Sequence, residues 1–344
     1  MMTASELEAT AREMVAPGKG ILAADESTGT IQKRLESVKV ESTEDNRRAY
    51  REMLFRAPGA GDHISGVILY DETIRQSGAD GTPLVEILVK QGVIPGIKVD
   101  KGAKALALSP DEKITEGLDG LRERLEEYRE LGARFTKWRA VITIGDGIPT
   151  LYCSEANAEA LARYAALSQE VGLVPIVEPE VLMDADNTIE RCFDVTSLTL
   201  QRVFARLFEQ RVAYEGMLLK PNMVIAGKKC TQQASVDHVA DLTIRCLRRF
   251  VPPAVPGVVF LSGGQSEEEA SAHLSAMNQR GPHPWELSFS YGRALQASAL
   301  ESWAGQPDKV PAGQSAFLHR ARCNGDARYG GYTAAMEKER GVAG

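Results

Sequence analysis

One pattern recurs eight times along this sequence: a short apolar run rich in β-branched residues, a polar loop, and then a longer stretch with helical periodicity. Each apolar run has the length of a strand rather than of a buried helix. Strands that alternate with helices form parallel βα units, because a parallel pair needs a long crossover connection. The predicted strands are residues 21–24, 66–70, 93–99, 135–142, 173–177, 217–219, 258–261 and 287–289.

Four of the intervening stretches predict long helices, at residues 117–131, 156–171, 189–211 and 235–250. In the first of them the apolar side chains recur at helical spacing, at Leu118, Leu121, Leu125 and Tyr128. Eight βα units predict an α/β fold, a closed (β/α)8 TIM barrel, which routinely forms one large domain. We therefore expect a barrel domain over residues 1–320 and a C-terminal surface tail over residues 321–344, where glycine and charged residues are frequent.

The charge balance excludes a general nucleic-acid binder. Forty Lys and Arg against 47 Asp and Glu give a net charge of −7, whereas phosphate backbones attract basic surfaces. No apolar run reaches the roughly 18 residues that a membrane-spanning helix needs, and the N-terminus lacks the apolar core of a secretory signal. We expect no nucleic-acid partner and no membrane partner.

Cysteine and histidine usage favours free thiols. The five cysteines are scattered and odd in number, which is typical of a reducing compartment and predicts a cytoplasmic location. None of the five histidines lies four residues from another, and we expect none to have a cysteine neighbour at zinc-binding spacing. We therefore expect no metal site and no cofactor.

Charged residues follow the predicted strands, and that end of a (β/α)8 barrel carries the active site. Asp25 follows the first strand, Lys98 lies at the end of the third, and Lys220 follows the sixth. Each residue alone has a simpler interpretation, since a lysine can extend to solvent and Asp25 can cap a helix that begins near Ser27. Several charges beside apolar runs are costly unless they pair. Their convergence predicts an active site.

Two glycine-rich turns predict phosphate sites. Residues 262–265 precede a helix with an acidic first turn, and Gly292 and Arg293 repeat the arrangement after the last strand. Backbone N–H groups at helix starts bind anions, and phosphate sites at these two positions recur in this barrel.

A group of lysines without a metal site favours catalysis through an imine. About 1 in 2,500 free lysines is unprotonated at pH 7, and a second cation, such as Lys137 beside Lys220, increases that fraction.

Seven motifs in chain order resemble those of class I fructose-bisphosphate aldolases. They are residues 16–29, 96–102, 137–139, 175–180, 214–222, 260–265 and 289–294, and the similarity runs from about residue 16 to residue 320. The resemblance implies a (β/α)8 barrel, usually a homotetramer, that acts without metal in glycolysis and gluconeogenesis. The implied reaction is the reversible cleavage of fructose 1,6-bisphosphate to dihydroxyacetone phosphate and glyceraldehyde 3-phosphate.

The resemblance also implies residue roles. Lys220 matches the Schiff-base lysine, and Asp25 matches the carboxylate that handles the C4 hydroxyl proton. Glu178 matches the acid/base of imine formation, and Lys137 matches the lysine that assists these steps. The implied substrate-binding residues are Ser262, Gly263, Gly292 and Arg293 at the C1 phosphate, Ser27, Thr30, Lys33, Arg34 and Lys98 around the C6 phosphate, and additionally Arg139, Glu180, Asn222 and Ser290.

One departure from the family pattern concerns the C-terminus. Many members end in a tyrosine that exchanges the proton at C3, whereas this sequence ends in Gly344. We therefore expect another group to move that proton, such as Glu178, a water molecule or the substrate phosphate. Tyr332 resembles a tyrosine that precedes the tail in other members and is expected to be structural.

Three alternatives to this function stay open at the level of sequence. A metal-dependent aldolase would use histidine ligands. A transaldolase would share the imine chemistry but accept fructose 6-phosphate. A barrel scaffold or cytoskeletal binder would not need the complete set of Asp25, Lys137, Glu178 and Lys220. The preference among fructose 1,6-bisphosphate, fructose 1-phosphate and sedoheptulose 1,7-bisphosphate depends on the walls of the C6-phosphate site.

Overall fold

Every strand of the central sheet pairs in parallel with two neighbours, so the sheet closes into a barrel. The computed structural model describes residues 4–341. The strands are β1 (Gly20–Ala23), β2 (Ile64–Leu69), β3 (Ile94–Lys98), β4 (Ala103–Ala105), β5 (Lys113–Thr115), β6 (Phe135–Ile142), β7 (Val174–Val181), β8 (Leu218–Leu219), β9 (Gly257–Phe260) and β10 (Glu286–Tyr291). The barrel order is β1-β10-β9-β8-β7-β6-β3-β2, and β4 and β5 form a separate antiparallel hairpin.

Helices connect the barrel strands and form the outer layer. They are α1 (Ala4–Met14), α2 (Thr28–Ser37), α3 (Glu44–Phe55), α4 (Asp71–Ile74), α5 (Leu84–Lys90), α6 (Leu121–Glu130), α7 (Leu151–Val171), α8 (Ile189–Glu209), α9 (Val236–Phe250), α10 (Glu267–Asn278), α11 (Arg293–Trp303) and α12 (Val310–Ala327). Short 3₁₀ turns lie at Ala60–Asp62, Tyr214–Gly216, Pro307–Lys309 and Met336–Gly341. Within residues 4–341, no helix combines the length and the apolar character that crossing a bilayer requires.

The side chains that fill the barrel change from apolar to charged along the strands. Successive strand residues face opposite sides of the sheet, so Phe135, Lys137 and Arg139 of β6 share the inner face. Phe135 belongs to the apolar cluster inside the barrel, whereas Lys137 and Arg139 line an open cavity. The same change occurs in β7, from Ile176 to Glu178. The barrel interior is therefore a packed apolar layer beneath a charged layer at the carboxyl ends of the strands.

Helix α1 covers the apolar layer of the barrel. Its side chains Leu7, Ala11 and Met14 are buried and belong to the same cluster as the interior residues of the strands. The spacing of 4 and 3 residues places them on one helical face. The Ser65 hydroxyl donates a hydrogen bond to the Met14 carbonyl over 2.5 Å. The charged layer is thus left as the accessible part of the barrel interior.

The predicted (β/α)8 barrel is confirmed, and the strand boundaries differ by a few residues. The predicted strand 135–142 matches β6 at both ends. The prediction that the fifth barrel strand ends at residue 177 is wrong, because β7 continues to Val181. This predicted strand ended before the first charged residue of the segment, whereas Glu178 and Glu180 are buried inside β7. The β4–β5 hairpin was not predicted.

The predicted boundary between barrel and surface tail is wrong for residues 321–328. Helix α12 continues to Ala327, and Ala321, Cys323 and Ala327 are fully buried. Arg328 is also buried, and its guanidinium donates hydrogen bonds to the carbonyls of Val15 (3.0 Å) and Lys19 (2.8 Å). This segment therefore packs against the N-terminal part of the barrel. The last residues of the predicted tail, 342–344, lie outside the described residues.

A glycine inside the barrel gives a stability prediction. A methyl group on Gly96 would overlap the ring of Phe135, so Gly96→Ala is expected to destabilise the protein by about 1–3 kcal/mol through overpacking. Gly29→Ala in α2 is the matched control, because its added methyl group meets no atom within 4 Å. Its effect should stay within about 1 kcal/mol. Urea unfolding measures both, and equal stability of the two variants would contradict the packing argument.

Candidate active site

A cavity of about 1070 Å³ opens at the carboxyl ends of the barrel strands. It brings together 15 of the 17 residues that the sequence analysis assigned to the site, from seven of the eight barrel strands and the segments that follow them. Those residues are Asp25, Ser27, Thr30, Arg34, Lys98, Lys137, Arg139, Glu178, Glu180, Lys220, Ser262, Gly263, Ser290, Gly292 and Arg293.

Lys137 stands at the centre of a buried ion cluster. Its Nζ lies 2.5 Å from Asp25 Oδ2 and 3.3 Å from Glu178 Oε2. The side chains of Lys137 and Glu178 are about 5% exposed or less, and that of Asp25 is 11% exposed. The N-cap of α2 is Ser27, so Asp25 does not cap this helix. Asp25 instead belongs to the site through its ion pair with Lys137.

Lys220 shares the carboxylate of Glu178 with Lys137 but contacts its other oxygen. Lys220 Nζ lies 3.3 Å from Glu178 Oε1, and the Lys220 side chain is 4% exposed. The backbone explains this position, because Lys220 N donates a hydrogen bond to Val177 O over 2.8 Å and so extends the pairing of β8 with β7. The Glu178 carboxylate on β7 therefore bridges Lys137 on β6 and Lys220 at the end of β8, the two strands that flank β7.

The cluster fixes the protonation of its two central groups. Burial raises the pKa of Asp25, but the charges of Lys137 and Lys220 outweigh it and lower the pKa to about 2. Burial lowers the pKa of Lys137, but the charges of Asp25 and Glu178 outweigh it, so this pKa is well above that of a free lysine. At neutral pH Asp25 is a carboxylate and Lys137 an ammonium ion.

Two further ion pairs lie on the wall of the cavity. Lys98 Nζ lies 2.6 Å from Asp100 Oδ1. The Arg139 guanidinium pairs with the Glu180 carboxylate, and the pKa of Arg139 is raised because the charge and hydrogen bond of Glu180 outweigh the effect of burial. Both pairs leave cationic groups at the cavity surface, where they can meet an anionic substrate.

The turns after β9 and β10 form one end of the cavity. Ser262 and Gly263 follow β9, and Gly292 and Arg293 begin α11 after β10. A Cβ on Gly263 would lie 3.0 Å from Leu261 Cδ1 and 3.1 Å from Glu180 Oε1, so a larger residue here would require these side chains to move. Ser290 Oγ is buried and has no hydrogen-bond partner among the described residues. A helix start, an arginine and an unpaired hydroxyl together suit a phosphate group.

The first turn of α2 forms another part of the cavity. Ser27 Oγ and Thr30 Oγ1 lie 3.2 Å apart, and Arg34 lies one turn further along the same helix. The Arg34 guanidinium is held by the buried carboxylate of Glu26. This region offers hydroxyl groups, one guanidinium and a helix N-terminus, which suit a second anion.

Two predicted site residues do not line the cavity. Lys33 is exposed on α2. Asn222 is buried and structural: its Oδ1 accepts a hydrogen bond from Val181 N (3.0 Å), and its Nδ2 donates to Thr196 Oγ1 (3.1 Å). Asn222 therefore joins the end of β7 to α8, behind the cavity wall.

Sequence reasoning missed several residues that line the cavity. Tyr70 and Asp71 follow β2, so the rule that located the other strand ends also applies to them. Asp100 follows β3, and its carboxylate accepts a hydrogen bond from Arg139 N over 3.2 Å. Arg124 reaches the cavity from α6, and no sequence signal distinguishes it from the other arginines of that helix.

The carboxylates of the cavity are paired with cations of the chain itself, which is unlike a metal site made of oxygen ligands. Within residues 4–341, one group of histidine, cysteine and acidic side chains has ligand atoms close enough for a metal ion, and it lies outside the cavity. What the cavity offers is a buried amine beside a carboxylate, with anion sites around it. That arrangement suits imine formation with a phosphorylated carbonyl compound.

Comparison with known proteins agrees with this chemistry. A family model described as fructose-bisphosphate aldolase class-I matches residues 6–343. A protein from Xanthomonas campestris described as a probable class 1 fructose-bisphosphate aldolase is 57% identical over 330 residues, which cover 96% of this chain and 99% of the relative. Fructose-bisphosphate aldolase 1 of Toxoplasma gondii is 55% identical over 331 residues, 96% of this chain and 91% of that protein.

A solved structure has the same fold over nearly its whole length. It is fructose-bisphosphate aldolase from Plasmodium falciparum, in a complex with TRAP and a small-molecule inhibitor. Its TM-score is 0.95 at 52% identity, and the alignment covers 96% of each chain. Fold, site and sequence similarity agree, and the chain belongs to the class I fructose-bisphosphate aldolase family.

Proposed function

We propose that this protein reversibly cleaves fructose 1,6-bisphosphate to dihydroxyacetone phosphate and glyceraldehyde 3-phosphate through a Schiff base on Lys220, in glycolysis and gluconeogenesis. The observation that carries the proposal is the buried cluster of two lysines and two carboxylates, in which Lys220 Nζ lies 3.3 Å from Glu178. Membership of the class I aldolase family supports the same reaction.

The first step joins the substrate to the enzyme. Glu178 takes a proton from the Lys220 nitrogen, and the amine attacks the C2 carbonyl. Glu178 then returns the proton to the carbinolamine oxygen, so that water leaves and the iminium forms. Glu178 is suited to this role because its two oxygens contact Lys220 and Lys137 separately. Lys137 keeps its proton and holds the carboxylate in place.

The second step breaks the C3–C4 bond. Asp25 removes the proton from the C4 hydroxyl, the C4 oxygen becomes the carbonyl of the leaving aldehyde, and the electron pair of the bond moves to C3. The iminium accepts that pair and becomes an enamine. Asp25 is ready to act as the base because Lys137 and Lys220 keep it ionised. Protonation at C3 and hydrolysis then release dihydroxyacetone phosphate and restore Lys220.

The anion sites orient the substrate across the cluster. We assign the C1 phosphate to the turns at Ser262, Gly263, Gly292 and Arg293, and the C6 phosphate to the region of Ser27, Thr30, Arg34 and Lys98. Two ends with phosphate-binding groups favour a bisphosphate over a monophosphate substrate. This arrangement favours an aldolase over a transaldolase, which would act on fructose 6-phosphate.

Borohydride trapping with dihydroxyacetone phosphate tests the imine. We expect a reduced adduct on the peptide that contains Lys220, detected by mass spectrometry and insensitive to a chelator. Lys220→Arg should abolish the adduct and lower kcat by about 10⁴-fold or more, as loss of a covalent nucleophile does. Lys90→Arg, at an exposed lysine that pairs with Glu86, is the control and should behave as the wild type.

Two results would contradict the proposal. An active enzyme that gives no adduct would exclude the imine mechanism, and sensitivity to the chelator would then favour a metal-dependent aldolase. Cleavage of fructose 6-phosphate in preference to the bisphosphate would favour a transaldolase. A folded protein with neither adduct nor activity would favour a scaffold.

The pH dependence tests the role of Lys137. The pKa of Asp25 in the folded protein is about 2, below its ordinary value. The ionised carboxylate therefore stabilises the native state above pH ~4, and this stabilisation is lost as the pH falls towards 2. Lys137→Met removes the cation 2.5 Å away, so burial should raise the pKa of Asp25. The acid limb of the kcat profile should move to higher pH by at least about one unit, with a 10²- to 10⁴-fold loss at neutral pH.

Lys98→Met is the matched control for this experiment. It removes a lysine from the same cavity, but the charge of Lys98 contributes less to the lowered pKa of Asp25 than that of Lys137 does. Its acid limb should therefore move less than that of Lys137→Met. Equal shifts in the two variants, or no shift in either, would disprove the assigned role of Lys137.

We also propose that the protein is a homotetramer and is cytoplasmic. The family resemblance favours the tetramer, and the exposed apolar side chains Leu151, Tyr152 and Phe208 on α7 and α8 favour burial against another chain. The five free cysteines suit a reducing compartment. Light scattering should give four times the mass of one chain and cell fractionation a soluble cytoplasmic pool. A monomer, or a secreted protein, would contradict these assignments.

A further inference from the structure

A second cluster of chemically active side chains lies away from the cavity, on α12 and the segment that follows it. His319 and Cys323 are four residues apart on α12 and so share one face of the helix. Glu337 approaches this face from the 3₁₀ turn Met336–Gly341. The ligand atoms of the three side chains all lie within 4.8 Å of one another. The expectation that no histidine has a cysteine neighbour at zinc-binding spacing is therefore wrong for His319 and Cys323.

The spacing of these atoms matches the coordination of zinc. His319 Nε2 lies 3.6 Å from Cys323 Sγ and 3.5 Å from Glu337 Oε2. In tetrahedral zinc sites, bonds of about 2.0–2.3 Å place neighbouring ligand atoms roughly 3.3–3.6 Å apart. Imidazole, thiolate and carboxylate are also the three side-chain ligands that zinc uses in proteins. The cluster therefore has the ligand chemistry of a zinc site, and both distances from His319 Nε2 match zinc coordination, while all three ligand atoms lie within 4.8 Å of one another.

The carboxylate of Glu337 is oriented towards this position. Its Oε1 accepts hydrogen bonds from Arg320 Nη1 (2.5 Å) and from the Tyr332 hydroxyl (2.8 Å). Its Oε2 is buried and accepts no hydrogen bond among the described residues, and this is the oxygen that faces His319. Two donors thus hold one oxygen and direct the other at the candidate site, as supporting groups do around metal ligands.

We propose that His319, Cys323 and Glu337 bind one zinc ion, with a water molecule in the fourth position. On binding, the Cys323 thiol loses its proton to solvent and its sulfur bonds to the metal. The thiolate and the carboxylate then balance the charge of the ion. Burial raises the pKa of this thiol to about 11 in the absence of a metal, so the proton is displaced by the metal rather than lost beforehand.

The site would fasten the C-terminal segment to the barrel. His319 and Cys323 belong to a helix that is packed into the fold, whereas Glu337 belongs to the segment after it. Arg320, which holds Glu337, also donates hydrogen bonds to Glu267 O (2.9 Å) and Ser271 Oγ (2.7 Å) in α10. Zinc would therefore link the C-terminal segment to α12, and Arg320 connects Glu337 to α10.

Metal titration tests this proposal on the full chain. After treatment with a chelator, the protein should bind about one equivalent of Zn²⁺ in competition with a chromophoric indicator. Co²⁺ should give the d–d bands of a tetrahedral site and a thiolate-to-cobalt charge-transfer band. Cys323→Ser should abolish the charge-transfer band, and His319→Gln and Glu337→Gln should each weaken Zn²⁺ binding at least tenfold. Zn²⁺ should also slow tryptic cleavage after Lys338.

Matched variants distinguish this site from adventitious binding. Cys230→Ser removes a partly exposed thiol elsewhere, and His238→Gln removes an exposed imidazole on α9; both should bind Zn²⁺ as the wild type does. Thermal unfolding of each metal-free variant checks that it is folded. Binding that survives Cys323→Ser, or a Co²⁺ spectrum without the thiolate band in the folded wild type, would overturn the proposal.

Discussion

The contact of Lys137 with two carboxylates is the interaction on which the site depends. A lysine and two acidic groups inside a barrel would be costly if any of them were unpaired. Lys137 lies between Asp25 and Glu178, and Glu178 in turn contacts Lys220. The cluster keeps Asp25 ionised and holds Glu178 beside Lys220, the proposed nucleophile. Buried ion pairs add little to the stability of a protein compared with well-packed apolar residues. The charges of this cluster are therefore better explained by a role in the proposed reaction than by a role in folding.

The division of the barrel into two layers makes this cluster possible. Phe135 and Ile176 pack the first layer, α1 covers it, and the same strands continue into the charged layer. Each strand therefore contributes to folding at its start and to the site at its end. The regular spacing of strand side chains holds the charged groups in a fixed array, which limits the reorganisation that each catalytic step requires.

Residues 321–328 show that a domain boundary predicted from composition can differ from the one in the structure. Residues 321–328 are rich in charged and polar side chains, yet α12 buries Ala321, Cys323 and Ala327. Arg328 contributes most of its hydrogen bonds to the carbonyls of the N-terminal segment. Such partners are distant in sequence, so composition alone suggested a surface tail. The proposed zinc site arises from the same folding back, because it joins Glu337 to two residues of α12.

The sequence by itself determined the barrel, the strands that carry the chemistry and most of the residues that meet in the cavity, because periodicity and strand ends are local features. Family similarity assigned their roles. Only the tertiary structure decided that Asn222 serves α8 rather than the cavity, that Arg124 reaches the cavity from α6, and which oxygen of Glu178 faces each lysine. These outcomes depend on contacts between elements far apart in sequence, and no local pattern encodes such contacts.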